Sequence, residues 1–410
     1  MIIIKEVLKV IDIMSAMCMI FYIITGVCVL KNNSKIKTSK IKKKIACIIP
    51  ARNEDKVIGN LLESLNNQNY PKELYDIFVL PNNCIDNTEN VAKEKFAKII
   101  NCDNIYAKSK GDVLRHAFDY LREYDYDAYI IFDADNIVHP EFIEKMNNVL
   151  CAGYRLAQGY RDSKNPSDSW ISGSYSLHYM IQNYFLNKAR MNINWSSFIN
   201  GTGFMISKDL IEEKGYSSNT MTEDIELSVK CAIGNEKIAF AEEAITYDEQ
   251  PITLVQSWKQ RERWSIGTLQ CLKIYSKELV TDIFKNKNFA SLDSLLFLLA
   301  PIIQLAGAAT FILHMLVKLL ENSQIDFITK SLFGIMWYIA SIIMTILVIK
   351  INKKPVKNYI KGIISLPIFY FSWIPINISA LIKKDAKWER IEHTRIIKLD
   401  NIIKLNYIKE

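Results

Sequence analysis

The 410-residue sequence has no Cys-x-x-Cys pair, and none of its eight cysteines stands with a histidine in zinc-ligand spacing. That removes the common zinc modules and leaves the cysteines as reduced small hydrophobes. No small-residue cleavage pattern follows the apolar run near residues 13–30, so the run is expected to stay as a membrane anchor rather than leave as a signal peptide. Internal repeats and low-complexity linkers are also missing. The formal charge of +7 is concentrated in one stretch, where Lys31, Lys35, Lys37, Lys40, Lys42, Lys43 and Lys44 follow that anchor directly. Such a cluster beside an apolar segment is a positive-inside signal, so no nucleic-acid polymer is expected as partner and residues 31 onward are expected in the cytoplasm.

What is present is a mixture. Half of the residues are hydrophobic, enough for a full α/β domain together with several apolar spans. Three further apolar stretches lie near 294–317, 331–349 and 362–382. Lys350, Lys353, Lys354 and Lys357 place the loop between the last two on the cytoplasmic side. Pro367 and Pro375 leave the last stretch open between a span and a kinked, re-entrant or interfacial segment, and its flank carries Lys383, Lys384, Lys387 and Arg390. Charges are expected only at the flanks of the spans. The expected organisation is an anchor at 1–30, a basic linker at 31–44, a catalytic domain at 45–250, interfacial helices at 251–290, membrane segments at 291–382 and a tail at 383–410.

Within the polar part, strand-like runs Ile45 to Ile49, Tyr75 to Leu80 and Ala128 to Phe132 alternate with helix-like runs near 54–66, 87–98, 110–123 and 139–150. This predicts an α/β, Rossmann-like fold with a mostly parallel sheet, whose ligands bind beyond the carboxyl ends of the strands. The polar clusters Pro50 to Glu54, Pro81 to Asp86 and Asp133 to Asn136 begin where those strands stop, so they are expected on one edge.

Asp133-Ala134-Asp135 offers two carboxylates at a strand tip, and oxygen ligands suit Mg2+ or Mn2+. A cation shared with the diphosphate of a nucleotide-sugar would neutralise the leaving group; a surface turn rich in aspartate is the bland alternative. Thr222-Glu223-Asp224 precedes a helix-like run. Thr222 and Glu223 suit a helix start for capping and dipole reasons, whereas Asp224 is read as the general base for an acceptor hydroxyl. Gln260, Arg263 and Trp264 share a face of a helix expected from Val255 to about Lys273 along the membrane surface, and are read as an acceptor-site wall. Lys110-Gly111 could hold phosphates at a helix start, or be an exposed lysine. Gly201-Thr202-Gly203 offers close backbone approach or a bulge. The polar segment Gln158 to Trp170, with Arg161, Asp162 and Lys164, is placed near the donor sugar by its position between the acidic motifs.

Taken in order, Ile49-Pro50-Ala51-Arg52-Asn53-Glu54, Asp133-Ala134-Asp135, Gly201-Thr202-Gly203, Thr222-Glu223-Asp224 and Gln260 through Trp264 resemble glycosyltransferase family 2. The likeness is to its processive, membrane-embedded branch, the cellulose, hyaluronan and poly-N-acetylglucosamine synthases. It implies a GT-A type domain flanked by transmembrane helices in the plasma (inner) membrane. It also implies a UDP-sugar donor, a metal held chiefly by Asp135, inversion with Asp224 as base, and a polysaccharide or lipid acceptor. Pro50, Ala51, Arg52, Glu54, Asn82, Lys110 and Asp133 fall where the nucleotide would bind. One departure stands out: Asn82 occupies the place of an aspartate that contacts the uracil, with one acceptor oxygen and the charge lost.

Overall fold

The computed structural model describes residues 2–31, 36–102, 107, 109–320, 327–383, 397, 399 and 401–402. Lys35, Lys384, Lys387, Arg390 and most of the expected tail lie outside them. Eight strands form one sheet: β1 (Ile45–Ala51), β2 (Tyr75–Pro81), β3 (Lys98–Ile99), β4 (Ala128–Ile131), β5 (Ile137–Val138), β6 (Leu156–Ser163), β7 (Phe204–Ser207) and β8 (Ile238–Asp248). Their order across the sheet is β3-β2-β1-β4-β7-β6-β8-β5. Residues alternate strictly between two cores. Ile45, Cys47 and Ile49 of β1 join one cluster, while Ala46 and Ile48 join the other. Burial on both faces is why these strands read as unbroken apolar runs.

The helices are α1 (Ile2–Val27), α2 (Ile58–Asn66), α3 (Thr88–Glu94), α4 (Lys110–Leu121), α5 (Phe142–Cys151), α6 (Trp170–Ile181), α7 (Ala189–Asn192), α8 (Lys208–Lys214), α9 (Glu223–Ile233), α10 (Leu254–Asn286), α11 (Phe289–Leu320), α12 (Phe327–Ile351), α13 (Ile360–Phe371) and α14 (Trp373–Lys383). The sheet is mostly parallel, as the sequence predicts, with two exceptions. β7 is antiparallel to both β4 and β6, and β5 to β8. The inserted β7 therefore begins at the edge where β1, β4, β6 and β8 end. Its entry loop, Asn200 to Gly203, joins the strand tips there.

Among the described residues four segments are long and apolar enough to cross a membrane: Lys5–Leu30, Phe289–Lys318, Gly334–Ile351 and Val356–Lys383. The first three leave most of their apolar windows uncovered, whereas 44% of the fourth is buried against protein. That segment is broken at Ser372 into α13 and α14, each well short of the roughly 20 residues a straight span requires. α13 packs on α6, and α14 on α10.

Buried ion pairs register these helices against the sheet. Arg190 of α7 donates through Nε (2.5 Å) and Nη2 (2.7 Å) to both carboxylate oxygens of Asp293 in α11, and both side chains are buried. Lys354, just after α12, pairs with Asp162 of β6 out of solvent, which puts that lysine-bearing loop on the same side as the sheet. His314 of α11 meets Asp12 of α1 at 2.8 Å. This pair lies inside two apolar segments, where the sequence reading placed charges only at the flanks.

Candidate active site

The carboxylate end of the site is built on β4. Its apolar run anchors the strand, and Asp133 follows with its backbone N–H donating to Thr202 Oγ1 at 2.9 Å. Thr202 in turn bonds Asn136, so the β7 entry loop fixes the turn bearing Asp133 and Asp135. Asp135 is buried and accepts the N–H of Glu249 at 2.9 Å. That bond ties it to the end of β8, where Asp248 is also buried. Arg161 of β6 holds one oxygen of Asp248 through Nε (2.7 Å) and Nη2 (2.6 Å). The other oxygen, Oδ1, is buried with no hydrogen bond. Burial raises the Asp248 pKa, Arg161 opposes that, and Asp135 and Asp133 add to the rise.

Three carboxylates therefore face one another at the strand tips. Sequence reasoning found two of them. Asp248 lies far along the chain without a local motif, and only its place at the end of an apolar strand could have drawn attention to it. Among the described residues no group of three or more His, Cys, Asp or Glu side chains closes around a metal. An oxygen-only set with one unsatisfied buried carboxylate oxygen still fits a hard cation that takes one or two carboxylates and completes its shell with water and phosphate. Asp133 and Asp135, with Asp248 beside them, are the residues that could hold it.

Lys110 opens α4, whose start is fixed by a reciprocal capping box between Ser109 and Asp112. Its ammonium pairs with Asp133, donates to the Gly201 carbonyl at 2.6 Å and lies 3.9 Å from Glu223. Burial lowers the Lys110 pKa, but Asp133 and Glu223 outweigh it and the group stays charged. It is a bridging cation, not an exposed lysine. Asn82 is buried beside Asn83, whose amide donates to Asn82 Oδ1 at 3.0 Å.

Thr222, Glu223 and Asp224 begin α9, and here the sequence reading needs correction. The Thr222 side chain makes no capping bond, and Glu223 turns toward Lys110 rather than serving only the helix dipole. Burial raises the Glu223 pKa to about 7, against the pull of Lys110 and with a push from Asp224. Asp224 is also raised by burial, opposed by the Ile225 N–H, Lys110 and Arg161. Raised carboxylates in a shielded site are suited to accept a proton near neutral pH. Gly201 has φ of +89°, and a methyl there would stand 3.3 Å from Asp224 Oδ2, so only glycine lets the loop approach this carboxylate.

α10 runs from Leu254 to Asn286, longer than expected. Gln260, Arg263 and Trp264 line the same cavity as Asp224. Arg261 is buried, donating to the Phe369 carbonyl (3.1 Å) and Ser372 Oγ (2.8 Å). Trp264 is held edge-on by Tyr175 at 6.0 Å and stacked with Trp373 at 6.4 Å. A side chain at Gly267 would begin 2.3 Å from Thr222 Oγ1. We expect Gly267→Val to displace the Thr222–Asp224 turn and lower transfer roughly 10- to 10²-fold with less effect on donor KM, since about 1 Å of misplacement is enough; steady-state kinetics on the folded variant check this.

The residues that the sequence assigned to catalysis, nucleotide and metal line one cavity of about 1560 Å3. They are Pro50, Ala51, Arg52, Glu54, Asn82 and Lys110, with Asp133, Asp135 and Asp224, and Gln260, Arg263 and Trp264. Of the segment from Gln158 to Trp170, only Arg161 lines it. Asp162 is paired with Lys354, and Lys164 is buried, because successive side chains of β6 point to opposite faces. Asn200, not singled out from the sequence, lines the cavity with both side-chain amide atoms buried and unbonded.

A sequence model of the family described as "Glycosyltransferase like family 2" matches residues 43–267, more than half of the chain. The chain belongs to that family. A family 2 relative, "Probable glycosyltransferase YdaM" of Bacillus subtilis, is 26% identical over 268 residues, covering 59% of this chain and 61% of its own. "Beta-monoglucosyldiacylglycerol synthase" of Synechocystis sp. is 20% identical over 233 residues, 55% of this chain and 48% of its own. The match thus spans about half to three-fifths of these relatives' length. The solved "Mannosyltransferase PcManGT from Pyrobaculum calidifontis in complex with GDP-Man and Mn2+" superposes with a TM-score of 0.62 at 13% identity, covering 93% of this chain and 98% of that one. The shared fold is GT-A with flanking apolar helices.

Proposed function

We propose that this family 2 chain moves a hexosyl group from a nucleoside diphosphate sugar, a UDP-sugar by the sequence reading, to an acceptor hydroxyl at the cytoplasmic face of the plasma (inner) membrane, with inversion. The observation that carries the reading is the single cavity shared by the strand-tip carboxylates, Asp224 and the Gln260, Arg263 and Trp264 face. Four apolar segments and the lysine run before Ile45 support the membrane placement.

Asp224 accepts the acceptor's hydroxyl proton as its oxygen forms a bond to the anomeric carbon. The bond from that carbon to the phosphate oxygen breaks with its electron pair going to the nucleoside diphosphate. Mg2+ or Mn2+ held by Asp135 and Asp133 would supply Lewis-acid stabilisation of the diphosphate. Lys110 adds fixed positive charge beside Asp133, and Arg263 offers a guanidinium to phosphate oxygens. Asn200 presents an amide to sugar hydroxyls. Trp264, braced on both sides, gives a sugar ring an apolar floor.

The test is a panel of UDP- and GDP-sugars offered to the full chain in lipid nanodiscs with Mn2+, with products read by mass. Consumption of one donor, release of its nucleoside diphosphate and a product heavier by one hexosyl unit per transfer are expected. Nucleotide binding without turnover across the panel would make the chain a catalytically silent nucleotide-binding subunit instead.

A further inference from the structure

The active-site cavity does not end at Asp224. Its volume of about 1560 Å3 exceeds the roughly 300–1,000 Å3 typical of a small-molecule pocket, and two of the apolar segments contribute to its lining. α1 lines it from Ser15 to Tyr22 and α11 from Phe297 to Gln304, so the wall follows both helices for about 10 Å. Tyr22 stands about two turns before the end of the Lys5–Leu30 segment, and Phe297 about two turns after the start of Phe289–Lys318. The two helices thus contribute at matching depth. Met19 is 60% exposed and Ala300 is also exposed, although both line the cavity. At these two positions the cavity wall is therefore open rather than sealed by protein.

We infer that the acceptor is a membrane lipid with a hydroxyl in its head group, a glycerol or a lipid-borne sugar, which enters laterally between α1 and α11 and lays its hydroxyl at Asp224. The inference rests on the transferase reading above and names its second substrate. The wall is apolar at Met19, Phe297, Ala300 and Ile303. Ser15, Tyr22 and Gln304 are polar side chains of the same wall, and the Gln304 amide is engaged, donating to the Tyr370 carbonyl at 3.3 Å and accepting from Asn377 Nδ2 at 2.8 Å. A glycan chain lying along the apolar part of this wall would give up water from the hydroxyls that face it, a cost that acyl chains do not incur. A positioned base matters for a hydroxyl, whereas a phosphate nucleophile is already ionised. This lipid takes the place of the growing polysaccharide that the sequence reading put first.

The full chain in nanodiscs would be given its donor and Mn2+ with three acceptors in turn: diacylglycerol or a glycosyl-diacylglycerol, a polyprenyl phosphate, and a soluble oligosaccharide. The expected product is a single glycolipid species from a hydroxyl lipid. Met19→Trp and Ala300→Trp should lower its formation roughly tenfold or more, with calorimetric nucleotide binding unchanged. A photoreactive diacylglycerol should label peptides containing Met19 and Ala300 in the unsubstituted protein, a readout independent of how the variants fold. Labelling elsewhere only, equal rates in folded tryptophan variants, or preferential use of the phosphate or the soluble glycan would overturn the inference. Failure of the wild type to bind or turn over any nucleotide-sugar would instead sink the transferase reading beneath it.

Discussion

Asparagine in place of Asp224 is expected to lower sugar transfer roughly 10²- to 10⁴-fold, the usual worth of a positioned base, while nucleotide binding survives. The amide keeps the shape of the carboxylate, so the close approach of the Gly201 backbone and the start of α9 are kept. What is lost is the capacity to take a proton. Glu223 is adjacent in sequence and raised to about 7, yet it faces Lys110 at 3.9 Å, and a proton there would leave that cation with one counter-charge fewer. Initial rates, paired with calorimetry using the nucleoside diphosphate and Mn2+, separate the outcomes. Transfer at the wild-type rate would remove Asp224 from the chemistry.

Asp135→Asn is expected to lower kcat/KM by about 10²- to 10³-fold, corresponding to about 3–4 kcal/mol of stabilisation of the departing diphosphate. Half-saturation by Mn2+ should also move to higher concentration. The two acids of the motif are not equivalent. Asp133 already has the Lys110 ammonium as counter-charge, whereas Asp135 is buried and oriented by the Glu249 N–H beside a second buried acid, Asp248. A cation beside Asp135 and Asp248 would relieve the repulsion between these two acids. A Mn2+ titration of nucleotide binding, followed by rates at saturating metal, checks both parts. Unchanged metal dependence would move the cation site away from Asp135.

The strands that carry the site were legible because their apolar runs end abruptly in acids or amides, and that is a local property of the chain. The antiparallel insertion of β7 was not. It depends on pairing Phe204 with Ile131 and with Gln158, contacts between distant parts of the sequence that leave no pattern in either. For the same reason Asp248 and Asn200 went unseen, since each becomes notable only beside residues a long way off in the chain. Gln260, Arg263 and Trp264 could be read together because helical spacing alone puts them on one face. Pro367 and Pro375 signalled an irregular segment, but the interruption between α13 and α14 at Ser372 carries no proline or glycine to mark it. Glu223 was misjudged because the preference for acids at helix starts and the electrostatics of Lys110 favour the same residue type.

The Arg190–Asp293 pair has a practical meaning for engineering. Opening a doubly bonded ion pair in so dry a place costs about 3–5 kcal/mol, a large share of the margin that holds a domain together. The apolar helix α11 is thereby fixed against α7. A chimera that grafts the apolar C-terminal helices of another transferase onto this catalytic part would have to bring along a matching acid for Arg190, or exchange both partners at once.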